Sequence, residues 1–288
     1  MKEMIITLTP TGMIPTKEDT PHIPISPNEI IDDVLRCCER GVTVVHLHAR
    51  EVDGSPTWRP EEFETIITGI RKQQPDLIIC ATCSGRTYNQ FEKRSAVLDL
   101  EGLAKPDMGS LTLSSINFNK QASVNEPKMI IALAEKMKEK GIKPELEVFD
   151  LGMINYAKYL IKKGLIQPPY CFSLIFGNIA CAQANLLSVG LMINELPEHS
   201  YFCMGGVGDY QHKINALSVV NGSGVRVGLE DNVWFDSRRT RLAKNEDLLK
   251  RVLDIAEAME RTVMSPRKAR DLFRLSMPEQ GYGLMKQS

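Results

Sequence analysis

The sequence predicts an α/β fold, a (β/α)8 or TIM barrel, and three observations carry that expectation. Short β-rich runs alternate with longer helical patterns eight times, which implies parallel strand pairing. Eight units in 288 residues average about 36 residues each, suiting a barrel of about 250 residues with insertions. Three of the strands also split into one aliphatic and one ionisable face, as a wall between a helical layer and a chemical interior requires. A doubly wound open sheet is the structural rival.

The first strand is expected over residues 3–10 (EMIITLTP). A helix over 30–40 follows, opened by Ser26-Pro27-Asn28-Glu29 with Ser26 as N-cap, Pro27 at the first position and Glu29 completing a capping box. Gly41 stops it. Strand two spans 43–50 (TVVHLHAR), and Arg59-Pro60 opens a helix over 61–72. Strand three spans 76–84 and strand four 108–113, before Glu126-Pro127 opens a helix over 128–140 closed by Gly141. Strand five, 144–150 (PELEVFD), leads to a helix over 153–163 ending at Gly164. Strands six, seven and eight fall at 170–177, 200–208 and 225–231, and 244–261 forms the longest amphipathic helix. The helices after strands three, six and seven have weaker boundaries. Residues 265–288 are expected to add a short helical tail that reaches a neighbouring subunit, and residues 1–288 to form a single domain.

Composition excludes several classes. The chain is 43% hydrophobic and 25% charged, ordinary for a globular protein. Thirty-five Lys+Arg against 36 Asp+Glu leaves a net charge of -1, which removes the electrostatic case for nucleic acid or an anionic membrane as main partner. No apolar run approaches the roughly 18 residues of a membrane span. The start, MKEMIITLTP, lacks a signal peptide's apolar core and cleavage site. Seven scattered Cys suggest free thiols in a reducing cytoplasm.

The ionisable faces point to chemistry. Val45, Leu47 and Ala49 oppose Val44, His46, His48 and Arg50; Leu146 and Val148 oppose Glu145, Glu147 and Phe149; Val225, Val227 and Leu229 oppose Arg226, Gly228 and Glu230. Barrel interiors normally hold Val, Ile and Leu, and unpaired buried charge is very costly. A metal accounts for the cluster. His46 and His48 share one side of a strand, and Glu230 completes two histidines and a carboxylate with a position left open. Zinc, manganese or iron would suit this set. The alternative is that His46 and His48 are satisfied core histidines. Cys80-Ala81-Thr82-Cys83 sits within a strand, where i and i+3 face opposite ways, so these are core cysteines. Gly205-Gly206-Val207-Gly208 fits a phosphate site or a tight turn equally. His22, His199 and His212 read as surface or loop residues.

VVHLHAR, KPDMGSLTLSSINF, GIKPELEVFDLGMI and GVRVGLEDN together resemble the signatures of the β-keto acid cleavage enzyme family, whose best-known activity is 3-keto-5-aminohexanoate cleavage. The resemblance runs from about residue 5 to 270 and implies a (β/α)8 barrel. It also implies a transferase-type reaction, a reversed Claisen condensation, in which a β-keto acid and acetyl-CoA give acetoacetate and an acyl-CoA. His46, His48 and Glu230 match the family's zinc ligands, and Arg226 with Asp231 its basic dyad. Thr82 stands where the family usually has serine, and Thr112 matches the threonine of its SLT motif; both are expected to hydrogen-bond the substrate. Glu147, or its same-face neighbour Glu145, matches the EVFD strand. The family further implies a homo-oligomer, a tetramer.

Two features bear on substrate choice. Members acting on amino-bearing acids carry an acidic residue after the first strand, where this chain has Ile14. Arg86 adds positive charge past strand three. An acid whose far end is uncharged or anionic is therefore expected. Arg226 is expected to lower the pKa of Asp231, keeping it ionised, and no inward lysine is expected for a Schiff base. Another metal-dependent barrel hydrolase or aldolase, and a non-catalytic ligand-binding barrel, remain as alternatives. A passive scaffold would fill that interior with aliphatic residues.

Overall fold

The computed structural model describes residues 2–285. Eight parallel strands close on themselves: β1 (Glu3–Leu8), β2 (Val44–Leu47), β3 (Ile78–Ala81), β4 (Met108–Thr112), β5 (Lys143–Val148), β6 (Tyr170–Phe176), β7 (Ser200–Gly206) and β8 (Gly224–Val227). Each strand pairs with its sequence neighbours, and closure comes from β8 on β1, with Ile6 opposite Val225. The expected barrel is therefore the observed one, and the open sheet is excluded.

Eight helices follow the strands in order: α1 (Pro27–Cys38), α2 (Pro60–Arg71), α3 (Phe91–Ser95), α4 (Pro127–Lys140), α5 (Leu151–Lys162), α6 (Leu186–Asn194), α7 (Gln211–Asn221) and α8 (Asn245–Ala258). The start signals act as expected. Ser26 and Glu29 form a capping box on α1, and Gly141 ends α4 in the left-handed conformation. Asp150, expected in strand five, instead caps α5 by accepting from the Met153 N–H at 3.1 Å. After β3 the chain makes only the short α3 and two 3-10 turns, Ala96–Asp99 and Gly102–Ala104.

The expected strands overshoot at their C-terminal ends. Strand eight stops at Val227, not Asp231, because Leu229, Glu230 and Asp231 turn away into the loop above the barrel. These segments keep β-like composition while leaving the ladder, and in a barrel that is where function collects.

The two faces separate as expected. Val45, Leu47, Leu146, Val148, Val225 and Val227 pack outward with the helices. Inside, Ile5, Val44, Ile78, Met108, Cys171 and Cys203 form the lower layer. Cys80 belongs to this inner cluster and Cys83 to the outer one, as strand alternation requires. All seven cysteines are free. No described helix is long and apolar enough to cross a membrane.

A ninth helix, α9 (Pro266–Phe273), lies across the bottom of the barrel. Ala269, Phe273 and Leu275 pack onto the lower layer, and Phe273 meets Tyr201 edge-on at 6.0 Å. The tail thus folds onto its own barrel; residues 286–288 of the expected segment lie outside the described residues. It is locked by charge. Asp107 accepts from Arg71 Nη2 at 2.9 Å and from Arg270 Nη1 and Nη2 at 2.9 Å, with all three side chains fully buried. The backbone N–H groups of Ile79 and Gly283 also donate to it, at 3.0 and 3.2 Å.

Removing one partner from a buried ion network leaves charge uncompensated and typically costs about 3–5 kcal/mol. Asp107→Ala is expected to lose roughly that much in urea unfolding, with the tail the first segment to lose amide-exchange protection. A change under about 1 kcal/mol would show that the network does not hold the tail.

Candidate active site

The upper ends of the strands line an open cavity of about 490 Å³. His46 and His48 stand two residues apart on β2 and the loop after it, both buried. Their Nε2 atoms converge to 3.2 Å, and His48 Nε2 lies 3.4 Å from Glu230 Oε1. Ligand atoms of His46, His48 and Glu230 all fall within 4.8 Å of one another, close enough to hold one metal ion. The other oxygen, Glu230 Oε2, is buried with no hydrogen-bond partner. A buried carboxylate oxygen left bare is an acceptor waiting for a cation, so the donor set fits a divalent ion.

His46 is oriented from behind by Glu145, whose Oε2 lies 2.7 Å from His46 Nδ1. Such a carboxylate fixes the ring and leaves Nε2 for the ion. Burial opposes a charged His46, but Glu145 and Glu230 outweigh it and raise its pKa to about 9. Of the two glutamates on β5, the sequence left their roles open. The structure separates them: Glu145 backs His46, whereas Glu147 reaches the cavity and accepts from Thr112 Oγ1 at 2.6 Å. Cys80 with His46 and Glu145 also lies within ligand range. Burial and Glu145, however, push the Cys80 thiol well above its usual value, and it donates to Glu145 at 3.2 Å.

Arg226 rises from β8 into the centre of this group. Its Nε donates to Asp231 Oδ2 at 2.9 Å, its Nη2 to Glu230 Oε1 at 2.8 Å, and its Nη1 lies 3.8 Å from Glu147 Oε1. The turn carrying Glu230 and Asp231 is pinned through its backbone. Leu229 N–H donates to Asn245 Oδ1 at 2.9 Å, Glu230 N–H to Thr9 O at 3.2 Å, and Gly208 N–H to Asp231 O at 2.8 Å.

The acid strengths diverge. Burial opposes the Glu230 charge, yet His48 and Arg226 hold its pKa well below the ordinary value. Asp231 goes the other way. Burial, helped by Glu230, raises it despite Arg226. This corrects the expectation that Arg226 lowers it: desolvation outweighs the single cation, and the carboxylate becomes more basic. Glu147 is likewise raised, chiefly by burial.

The remaining sequence candidates also line the cavity: Thr82, Thr112, Arg86 and Ile14. Thr82 Oγ1 accepts from the Ser84 N–H at 3.2 Å. Arg86 lies over the Phe118 ring at 3.5 Å. Arg50, grouped with the histidines by strand parity, instead fastens the loop after β1, donating to Gly12 O, Pro15 O and Gly54 O at 2.8 to 3.0 Å. A lysine does lie at an inward position, contrary to expectation. Lys143 begins β5 in step with Glu145, but it is buried at the lower end, bonded to Pro169 O at 2.9 Å. Val207 and Gly208 of the glycine cluster border the cavity. Sequence reasoning missed Phe118 and Asn178, which the β4 and β6 loops bring together, with Asn178 Nδ2 on Asn117 O at 3.0 Å. Phe118 closes the run KPDMGSLTLSSINF, but nothing in that run assigned it a role, and Asn178 carried no motif.

Comparison with known proteins follows the same line. A family model described as beta-keto acid cleavage enzyme matches residues 3–275. The chain is 34% identical over 277 residues to the 3-keto-5-aminohexanoate cleavage enzyme of Acetoanaerobium sticklandii, covering 96% of this chain and 100% of the other. Identity to the protein of the same name from Fusobacterium nucleatum is 36%, with coverage of 96% and 99%. The 3-oxoadipate:acetyl-CoA acetyltransferase of Cupriavidus necator is 32% identical, with 96% of each chain covered. Among solved structures, the ternary complex of ObcA with a C4-CoA adduct and oxalate superposes with a TM-score of 0.75 at 20% identity, over 88% of this chain and 67% of that one. It shares the fold.

Gly12 tests how the site is held. Its φ is +65°, and a Cβ there would sit 2.5 Å from Glu230 Cγ. Gly12→Ala adds about 1–2 kcal/mol of left-handed strain and pushes Glu230 aside. Affinity for a divalent ion, read by titration calorimetry on chelator-treated protein, is expected to fall at least about tenfold, the scale of a lost supporting contact. Unchanged affinity would mean that the Gly12 turn does not position Glu230.

Proposed function

This chain belongs to the beta-keto acid cleavage enzyme family, and from that premise we propose that it converts a β-keto acid and acetyl-CoA into acetoacetate and an acyl-CoA. The observation that carries the reading is the meeting of His46, His48 and Glu230 with the Arg226–Asp231 pair at one open cavity. The names of its relatives fit: one is a 3-oxoadipate:acetyl-CoA acetyltransferase, another a 3,5-dioxohexanoate:acetyl-CoA acetone transferase.

We propose zinc as the ion of His46, His48 and Glu230, since two imidazoles and a carboxylate with an open position form a catalytic zinc donor set. When bound, it polarises a substrate carbonyl and stabilises the negative charge that grows there. The chain's own residues do the rest. Asp231 accepts the proton, and its raised pKa makes it a better base than an exposed aspartate. Arg226 fixes that carboxylate through two donors, at 2.9 and 3.3 Å. Thr82 already accepts from Ser84, so its own hydroxyl proton is free for a substrate oxygen. Thr112 commits its proton to Glu147 and holds that side chain at the cavity wall. We further read the protein as a cytoplasmic homo-oligomer, a tetramer. Seven free thiols suit a reducing compartment, and Leu186 and Leu187 on α6 are each 73% exposed, apolar surface that a partner copy would cover.

The direct test follows acetoacetate release from a panel of β-keto acids with and without acetyl-CoA. Consumption without acetyl-CoA would indicate a hydrolase or aldolase instead. His46→Ala is expected to abolish turnover and bound metal together, measured by elemental analysis of protein purified without chelator; a metal-free active enzyme would refute the zinc assignment.

Asp231→Asn keeps the shape but cannot take a proton. It is expected to lose roughly 10²-fold or more in kcat, the scale of a positioned base, while retaining its metal. An unchanged kcat would remove Asp231 from the chemistry.

A further inference from the structure

Arg86 is a half-buried cation without an anion. Among the described residues its guanidinium has no hydrogen-bond acceptor and no ion pair, although it lines the cavity. It is also held in place. The Arg86 backbone N–H donates to Ser84 Oγ at 3.3 Å, and the guanidinium carbon lies over the Phe118 ring, 3.5 Å from its centre. Phe118 in turn meets Phe149 edge-on at 5.9 Å, and Asn178 ties down the hairpin that carries it. Stacking occupies the face of a guanidinium and leaves its in-plane N–H groups free, a fork that fits a carboxylate through two parallel bonds.

Nothing within the cavity supplies that carboxylate. Glu230 and Asp231 are bonded to Arg226, and Glu147 to Thr112. Asp19, the acidic side chain at the rim, accepts from Thr16 N and Oγ1 at 2.9 and 3.0 Å, closing its own turn. Ile14 offers no charge, and the other cations of the lining are Lys120, Arg226, paired with Glu230 and Asp231, and Arg239, paired with Asp209. Burial draws the Arg86 pKa below the usual arginine value while Glu230, Glu147 and Asp231 pull it back, so the charged guanidinium is short of a close partner. Keeping a partly dehydrated cation unpaired is unfavourable unless a ligand brings the counter-charge.

We propose that Arg86 determines specificity and that the preferred substrate is a dicarboxylic β-keto acid, whose far-end carboxylate sits in the Arg86 fork. This rests on the β-keto acid reading above and narrows it.

The experiment compares kcat/KM for 3-oxoadipate and 3-oxohexanoate, each with acetyl-CoA, in the wild type, Arg86→Gln and Arg86→Lys. The wild type is expected to favour the dicarboxylate by about 10²-fold, as a charge-assisted bidentate contact warrants. Arg86→Gln should erase that preference, mainly through KM, and leave 3-oxohexanoate within about threefold. Arg86→Lys, which keeps the charge but not the fork, should fall between. An equal loss on both acids would overturn the proposal, since Arg86 would then hold the carboxylate they share. So would a wild type that prefers the monocarboxylate. A second measurement omits acetyl-CoA: glutarate should raise the melting temperature of the wild type and not of Arg86→Gln, whereas butyrate should move neither. Equal glutarate shifts would also overturn it. Failure of every keto acid to react would refute the cleavage reaction, while the glutarate arm would still decide the role of Arg86.

Discussion

One buried guanidinium makes the upper half of this barrel possible. Glu145, Glu147, Glu230 and Asp231 crowd the ends of β5 and β8, and such a group of buried carboxylates cannot stay together without positive charge. Arg226 binds two of them directly and lies within 3.8 Å of a third. Even so, negative charge remains in excess. That excess of charge draws the His46 pKa upward, and it is why a divalent cation, which would take the place of the proton on Nε2, fits where two imidazoles and Glu230 meet. Two consecutive residues nevertheless become unequal neighbours, although Arg226 favours the charge on both. Glu230 also faces His48 and stays firmly ionised, while burial, reinforced by Glu230, makes Asp231 more basic than an ordinary aspartate.

The guanidinium can serve only because the backbone around it is rigid. β8 is short, and its last residues turn over the barrel mouth under bonds from Thr9, Asn245 and Gly208. Asn245 begins α8 and also reaches Pro10 O and Asp33. Helical layer, strand and loop therefore fix the carboxylates jointly. Arg50 plays a similar part for the loop after β1.

Much of this was legible in the sequence. The eight-fold alternation gave the barrel, and parity along β2, β5 and β8 gave His46, His48, Glu147 and Arg226 a common interior. Period-two alternation is a local property, so it survives without knowledge of the fold. Strand ends were less legible, because the residues leaving β8 keep strand-like composition while obeying a turn. The direction of the Asp231 pKa was misjudged for a related reason: its charged neighbour is written five positions away, whereas its loss of water depends on the whole assembled mouth. The part played by Phe118, the last residue of a quoted motif, was hidden for the same reason. Its contact with Arg86 joins the loops after β3 and β4, and no spacing encodes that meeting.

The tail gives the molecule two ends with different duties. α9 and the Arg71–Asp107–Arg270 network close the lower opening with apolar packing and fully buried charge, while His46, His48, Glu230 and the Arg226–Asp231 pair gather at the other end. With the lower end sealed, keto acid, thioester and both products share one doorway. Traffic through it is then governed by the loops after β1, β3, β4 and β8, whose residues line the cavity. Substitutions at Ile14 or Arg86 can change what enters with little effect on the lock beneath. Selection can therefore try new substrates on this chassis without first rebuilding the fold.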